Sequence, residues 1–269
     1  MEVGVIHPGA MGAVLAGEAS VPVMWASEGR SHQTAERAGA YGLVDQGSLG
    51  DLVAHAEILV SVCPPHAAVE VAKQVNGLGF DGIYLDANAI APATVREIAA
   101  HFDRFVDGGI VGPPPTEAGL ARLYLAGADA DTVAALWKGS NVDARVLGEE
   151  IGSASALKAA YAGWTKGSAA LLLAVRAYAE ANGLGDELIA EWETSIPGLA
   201  ERAEGSAYRI GRKAWRFEGQ MAEIAAAMQA VGLPEGFHDA AREIYHRLSD
   251  LKGIERPSVE DVNRKILRL

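Results

Sequence analysis

The stretch Val3-Gly4-Val5-Ile6-His7-Pro8-Gly9-Ala10-Met11-Gly12-Ala13 decides how this chain is read. A short apolar strand runs straight into a glycine turn, and small residues suited to a helix follow. That is the layout of a dinucleotide-binding strand–turn–helix. The glycines let backbone approach a pyrophosphate, and the helix N-terminus offers free N–H donors at the positive end of its dipole. Gly9 and Gly12 stand at the second and third glycine positions of G-x-G-x-x-G, and His7 stands at the first. A glycine turn after a strand also serves as a plain tight turn, so the reading depends on what surrounds it.

Outward from this turn the first half keeps one rhythm. Strands are expected at 3–6, 21–26, 58–62, 83–86, 105–111, 123–127 and 142–147, with helices at 9–19, 32–38, 65–75, 92–101 and 131–137 between them. Strand–helix alternation at this spacing implies an α/β fold with a doubly wound, mostly parallel sheet of Rossmann type. Near residue 150 the pattern changes. From Ser153 to Asn182 there is no proline, Ala and Leu dominate, and Gly183 follows as a stop signal. One helix of about 30 residues, or roughly 45 Å, is expected there. Further helices are expected at 186–194, 198–204, 211–231, 234–248 and 258–267. The chain thus reads as a dinucleotide-binding domain over 1–150 and an all-helical substrate and dimerisation domain over 151–269, joined by the long interdomain helix.

Composition narrows the function classes. Apolar residues make up 49% of 269, enough for a sizeable core. The net charge of −12, without a basic run, argues against nucleic acid or an anionic membrane as partner. The single cysteine, Cys63, has no partner for an internal disulfide, which fits a reducing compartment. The longest purely apolar run near the middle, 169–175, is too short for a bilayer. Met1-Glu2 leads directly into a strand, so no signal peptide is expected. A cytoplasmic protein is expected. No paired Cys or H-x-x-x-H spacing occurs, and His66 and His238 stand alone, so no metal is implied.

Several motifs in order resemble one family, the β-hydroxyacid dehydrogenases, which include 6-phosphogluconate, 3-hydroxyisobutyrate and tartronate-semialdehyde-type enzymes. The opening is similar to G-x-G-x-M-G except at His7. Ser61-Val62-Cys63-Pro64-Pro65 resembles the proline turn beside the nicotinamide, and Asp86-Ala87-Asn88-Ala89-Ile90-Ala91-Pro92 resembles an Asp-x-Ser-Thr segment. Asp107-Gly108-Gly109-Ile110-Val111-Gly112-Pro113 is similar to the substrate motif D-A-P-V-S-G-G. Gly119-Leu120-Ala121-Arg122-Leu123-Tyr124-Leu125-Ala126-Gly127 is similar to a later strand, and Gly152 to Lys158 resembles G-x-x-x-x-x-K. Coverage runs from residue 1 to about 170. The helical remainder looks like a divergent branch. Val111 replaces the family's substrate-binding serine, Ala162 replaces an asparagine four residues after the lysine, and no Lys-Asp dipeptide occurs.

The resemblance implies an NADP-dependent oxidoreductase acting on a small hydroxy acid or its aldehyde or ketone. Lys158 would handle a proton at the substrate oxygen, with Tyr161 three residues on as a second catalytic candidate. His7, Pro8, Gly9, Ala10, Met11 and Gly12 would hold the cofactor, with Ser27, Arg30, Ser31, Cys63, Pro64 and Asn88. Gly109, Val111, Gly112 and Lys166 would meet substrate. Arg30-Ser31 resembles NADP-preferring members, since a guanidinium forks onto a 2′-phosphate. Glu28, about 20 residues past the glycines, leaves NAD possible. Imine reduction on the same scaffold and a non-catalytic NADP-binding sensor remain alternatives. The 113–115 triple proline reads as a stiff loop beside the site or as a rigid surface connection. A homodimer burying the long helix is implied, and a small molecule is the expected partner.

Overall fold

The computed structural model describes residues 1–211 and 213–268. The chain divides into two compact units, Met1–Ala159 and Ala160–Leu269.

The first unit is built on one sheet of eight strands: β1 (Val3–Val5), β2 (Val23–Trp25), β3 (Val44–Asp45), β4 (Ile58–Ser61), β5 (Ile83–Asp86), β6 (Phe105–Val111), β7 (Ala121–Ala126) and β8 (Val142–Gly148). Their order is β3-β2-β1-β4-β5-β6-β7-β8. All neighbours are parallel except β6 and β7. Strands β1, β2, β4, β5 and β6 are buried throughout, as expected of a sheet covered on both faces.

Alternation along the strands assigns the two faces. Val3, Val5, Val23, Trp25, Ile58, Val60, Ile83 and Leu85 pack with Leu15 of helix α1 (Gly12–Gly17) and with Ala130 and Val133 of α6 (Ala130–Ala134). Ile6, Met24, Leu59 and Tyr84 point the other way. They meet Leu52 of α3 (Leu49–His55), Val71 and Val75 of α4 (Ala68–Gly77) and Val95 and Ile98 of α5 (Pro92–Ala99). Helix α2 (His32–Ala40) follows β2, capped by the Ser31 hydroxyl, which accepts from the Thr34 N–H at 3.3 Å. Strand order reverses direction between β1 and β4. In open α/β sheets that reversal opens a crevice at the C-terminal strand ends, where ligands bind.

Differences from the sequence expectation are local. Helix α1 starts at Gly12 rather than Gly9, because His7 to Met11 are spent on the turn. Strand β3 and helix α3 were not expected. The helix expected at 65–75 begins as a 3-10 turn over Pro65–Ala67.

Helix α7 runs over Ser153–Ala181, close to expectation, and the unit boundary falls within it. Gly183, at φ +68, ends it: the Leu184 N–H reaches the Ala179 carbonyl and the Gly183 N–H the Glu180 carbonyl, both at 3.0 Å. The second unit continues with α8 (Gly185–Ser195), α9 (Leu199–Gly211), α10 (Ala214–Ala230), α11 (Gly236–Arg247) and α12 (Val259–Leu267). Leu172, Trp192 and Ala203 form one buried cluster. Tyr245, fully buried, donates its hydroxyl to the Lys166 carbonyl at 2.7 Å and meets the Phe217 ring edge-on at 5.4 Å.

Candidate functional site

The glycine turn sits at the C-terminal end of β1. The Gly9 N–H bonds the His7 carbonyl at 2.8 Å, and the Ala13 N–H bonds the Gly9 carbonyl at 2.9 Å. A Cβ on Gly12 would lie 2.5 Å from the His7 carbonyl oxygen, so only glycine lets α1 start against the turn. A Cβ on Gly9 would meet nothing within 4 Å. The two glycines therefore have different reasons: one for the fold, one for open space above the turn.

His7 and Arg30 face each other at this turn. Burial, reinforced by the Arg30 charge, lowers the His7 imidazole to about 4, so it is neutral near pH 7. Burial also lowers the Arg30 guanidinium. His7 Nδ1 and Arg30 Nε are both buried, and neither has a hydrogen-bond partner among the described residues. Arg37, not singled out by sequence, reaches back from α2 to donate to the Pro8 carbonyl at 3.4 Å. Ser31 spends its hydroxyl on capping α2. Ser27 hydrogen-bonds Asp45, whose carboxyl is held low first by the Gly47 N–H and then by Ser27. Pro8 is buried, Met11 half-buried and Ala10 exposed.

Across the strand reversal, Asn88 ties the ends of β4 and β5 together. Its Oδ1 accepts from the Cys63 N–H at 2.5 Å, and its Nδ2 donates to Ser61 Oγ at 3.1 Å and to Asp86 Oδ2 at 2.8 Å. This fixes the Cys63-Pro64 turn on the same edge of the sheet as Gly9. Asp86 is fully buried, and burial pushes its carboxyl up to about 7. Burial, with Asp86 nearby, pushes the Cys63 thiol up to about 12, which disfavours its thiolate, and the side chain packs partly buried against the core.

Strand β6 carries the third part. Asp107, fully buried, accepts from the Gly152 N–H at 2.9 Å, the Ser155 N–H at 3.1 Å and the Ser155 hydroxyl at 2.6 Å. Its carboxylate caps the first turn of α7, although burial still leaves its carboxyl above the usual range. Two residues on, a Cβ at Gly109 would lie 2.5 Å from the Ala154 carbonyl and 3.3 Å from Lys158 Cβ. Glycine there lets α7 lie directly on the strand. Lys158 then donates from Nζ to the Ile110 carbonyl. Residues 107, 109 and 110 thus set the position of the amine along β6, toward its C-terminal end. Val111 is buried, and Gly112 turns the chain at φ +116, where a Cβ would collide with the Leu120 carbonyl. The 113–115 prolines lie in the irregular connection to β7.

Tyr161 and Lys166 belong to the second unit. Tyr161 is exposed. Lys166 stands over the Phe217 ring at 5.2 Å, and burial lowers its amine to about 8. Among the described residues no group of three or more His, Cys, Asp or Glu is placed to hold a metal. Among the described residues no helix is long and apolar enough to cross a membrane.

Comparisons with known proteins agree with this architecture. Residues 179–248 match the family described as a domain of unknown function, DUF1932. An uncharacterized 28.5 kDa protein encoded in the 7S RNA 5′ region of Methanothermus fervidus is 34% identical over 171 residues. That match spans 63% of this chain and 66% of that protein, just under two thirds of its length. A solved conserved protein of unknown function, itself described as structurally similar to 3-hydroxyacid dehydrogenases, is 28% identical. It superposes at TM-score 0.71, covering 93% of this chain and 98% of its own. The Mycobacterium tuberculosis 3-hydroxyisobutyrate dehydrogenase, solved with L-serine, gives TM-score 0.71 at 16% identity with full coverage of both chains. An Aspergillus terreus reductive aminase, solved with NADPH and ethyl levulinate, gives 0.57 at 18% identity, covering 97% of each. The eight-stranded sheet followed by a helical C-terminal region therefore gives this chain the 3-hydroxyacid dehydrogenase fold, shared with the imine reductases, with the DUF1932 match in its helical part.

Proposed function

We propose that the chain is an NADP-dependent oxidoreductase acting on a small hydroxy acid or its aldehyde or ketone. The observation that carries this reading is the glycine turn with its two orphaned nitrogens. Gly9 opens onto free space, and His7 Nδ1 and Arg30 Nε stand buried and unpartnered beside it. A phosphate-bearing group satisfies both needs, because buried polar nitrogens without partners are costly. His7 to Gly12 would cradle the pyrophosphate, and Arg30 would take the 2′-phosphate, with Cys63, Pro64 and Asn88 bordering the nicotinamide end. The cofactor, when bound, supplies hydride transfer to or from the substrate carbon. Lys158, set by β6, would give or take the proton at the substrate oxygen. Gly109, Val111 and Gly112 would border that carbon, and Tyr161 and Lys166 remain substrate-side candidates.

The test is cofactor titration. NADPH will bind more tightly than NADH to the wild type. Arg30→Ala will erase most of that preference, a loss of roughly ten- to a hundredfold, the worth of a charge-assisted contact of about 1.5–3 kcal/mol. Equal wild-type affinities in isothermal titration would defeat the NADP assignment.

The assembly belongs to the same reading. Along α7, Tyr161, Trp164, Leu171, Val175 and Tyr178 are exposed, at 45%, 70%, 60%, 38% and 71%. With Ser168 they repeat at alternating three- and four-residue steps, the seam of a helix that pairs with another helix. A second copy of the chain would cover this seam. Light scattering will give about twice the 28.1 kDa chain mass, and Trp164→Glu will shift the mass toward one chain. A wild-type monomer at micromolar concentration rules the dimer out.

A further inference from the structure

Three polar side chains at the ends of β4 and β5 are shut off from solvent: Ser61 and Asp86 at 0% exposure and Asn88 at 3%. Asp86 Oδ1 accepts from the Asn88 N–H at 2.9 Å, and Asp86 Oδ2 accepts from Asn88 Nδ2 at 2.8 Å. The same Nδ2 donates to Ser61 Oγ at 3.1 Å, and Asn88 Oδ1 accepts from the Cys63 N–H at 2.5 Å. Both amide hydrogens of Asn88 and its oxygen are therefore committed, and the amide fits only one way round. Reversed, its NH₂ would face the Cys63 N–H, donor against donor, and its oxygen would face a carboxylate. Burial makes a charge at Asp86 costly, and the paired position on β6 adds a second carboxylate, Asp107. Asp107 has its task in capping α7. Both oxygens of Asp86 go to Asn88, and Asn88 in turn reaches the Cys63 N–H. Pro64 and Pro65 follow with no N–H of their own, so Cys63 offers the last backbone donor that can tie this turn down before His66.

We propose that Asp86 is a positioning residue for the nicotinamide half of the dinucleotide: it sets the Asn88 amide, and the amide holds the 63–64 turn through the Cys63 N–H. The inference rests on the dinucleotide reading, in which that turn borders the nicotinamide. A carboxylate does this where an amide cannot, because both of its oxygens accept and it has no hydrogen to give. Asparagine at position 86 would set an NH₂ against one of the two Asn88 donors. One bond is then lost, the Asn88 amide is free to turn, and the Cys63 N–H loses its fixed acceptor. The other half of the cofactor is untouched, since His7 to Gly12 and Arg30 lie in the segments after β1 and β2.

The experiment reads binding and thiol chemistry, not turnover, on the full chain. The dinucleotide that the wild type prefers is paired with the same molecule lacking only its nicotinamide: NADPH with 2′-phospho-ADP-ribose, or NADH with ADP-ribose. Both are titrated at pH 8, above the value of about 7 to which burial pushes the Asp86 carboxyl. Asp86→Asn will weaken the dinucleotide by about tenfold and leave the nicotinamide-free molecule within about twofold of wild type. Asn88→Leu, which removes the acceptor for the Cys63 N–H, will give the same split. Cys63 is the chain's single cysteine, so alkylation by iodoacetamide without any nucleotide reports on the turn itself. Its rate will rise by about tenfold in both variants, the worth of one buried hydrogen bond. Asn88→Leu keeps the Asp86 charge, so a rise there is not an effect of that charge on the thiol. Thermal melting checks that each variant folds, and either one carries the test if the other does not. Equal losses for the two ligands, no loss for either, or an unchanged alkylation rate overturns the positioning role while the dinucleotide reading stands. A wild type that binds neither member of either pair overturns the dinucleotide reading, and this inference with it.

Discussion

Lys158→Ala will lower turnover by roughly 10²–10⁴-fold, the usual worth of a positioned acid–base group. The amine is not on a free surface. Gly109 admits α7 to within contact of β6, Asp107 caps the helix start, and the Ile110 carbonyl receives the ammonium. An amine held this way would meet a substrate oxygen with its orientation already fixed, so little would be lost in ordering it during reaction. Cofactor affinity will stay within about twofold of wild type, because the groups assigned to the dinucleotide lie in the segments that follow β1, β2, β4 and β5. The assay begins with a panel of aldehyde acids, keto acids and cyclic imines with NADPH. Carbonyl reduction that survives Lys158→Ala would remove the lysine from the chemistry and pass the role to Tyr161. Turnover confined to imines would move the reaction from C=O to C=N. Tight NADPH binding with no turnover on any member of the panel would favour the sensor alternative.

Asp107→Ala will cost about 3–5 kcal/mol of stability, in the range of breaking a buried charged network. The side chain is inaccessible to solvent, and its two oxygens take three hydrogen bonds from the start of α7. Alanine leaves the Gly152 and Ser155 N–H groups without an acceptor in a place water does not reach. It also opens a small void beneath the helix. Asp107→Asn will recover part of the loss, since an amide oxygen still accepts but its NH₂ opposes a donor. Denaturant unfolding of the three proteins measures the series. A loss below about 1 kcal/mol for alanine would mean that the helix start is held by packing alone.

The features that could be read from the residues are those with a local cause. Strands β1, β4, β5 and β6 are near-continuous apolar runs because they are buried on both faces, and their limits in sequence lie close to those in space. Helix α7 was legible from its lack of proline and from Gly183. Strand β3 was not: Val44 and Asp45 are both exposed, and two residues carry no period. Helix α3 left one usable sign, Ser48 three residues before Asp51: the Ser48 hydroxyl accepts from the Asp51 N–H at the helix start and donates to the Asp51 carboxylate. Helix α9 was expected to stop at Glu204 but continues to Gly211, because the charged residues on its outer side hide the buried stripe of Ala203, Ser206 and Ala207. In the site, the glycine turn stood out by spacing, and Lys158 only through the resemblance of 152–158 to G-x-x-x-x-x-K. The roles of Asp107 and Arg37 did not, because each acts on backbone 45 and 29 residues away. Gly109 was named as a substrate neighbour, and its contact with Ala154 gives it a packing role that spacing cannot reveal.

The contrast between Gly9 and Gly12 has a consequence for how the chain tolerates change. At Gly12 any side chain runs into the chain's own backbone, so a screen that asks only for soluble, folded protein would already reject most replacements. At Gly9 the same screen would accept alanine or serine, because nothing of the protein stands in the way. Only a screen for occupancy of the turn would separate those survivors. Paired libraries at these two neighbouring positions would therefore distinguish, from growth or yield data alone, the constraint imposed by folding from the constraint imposed by what the turn holds.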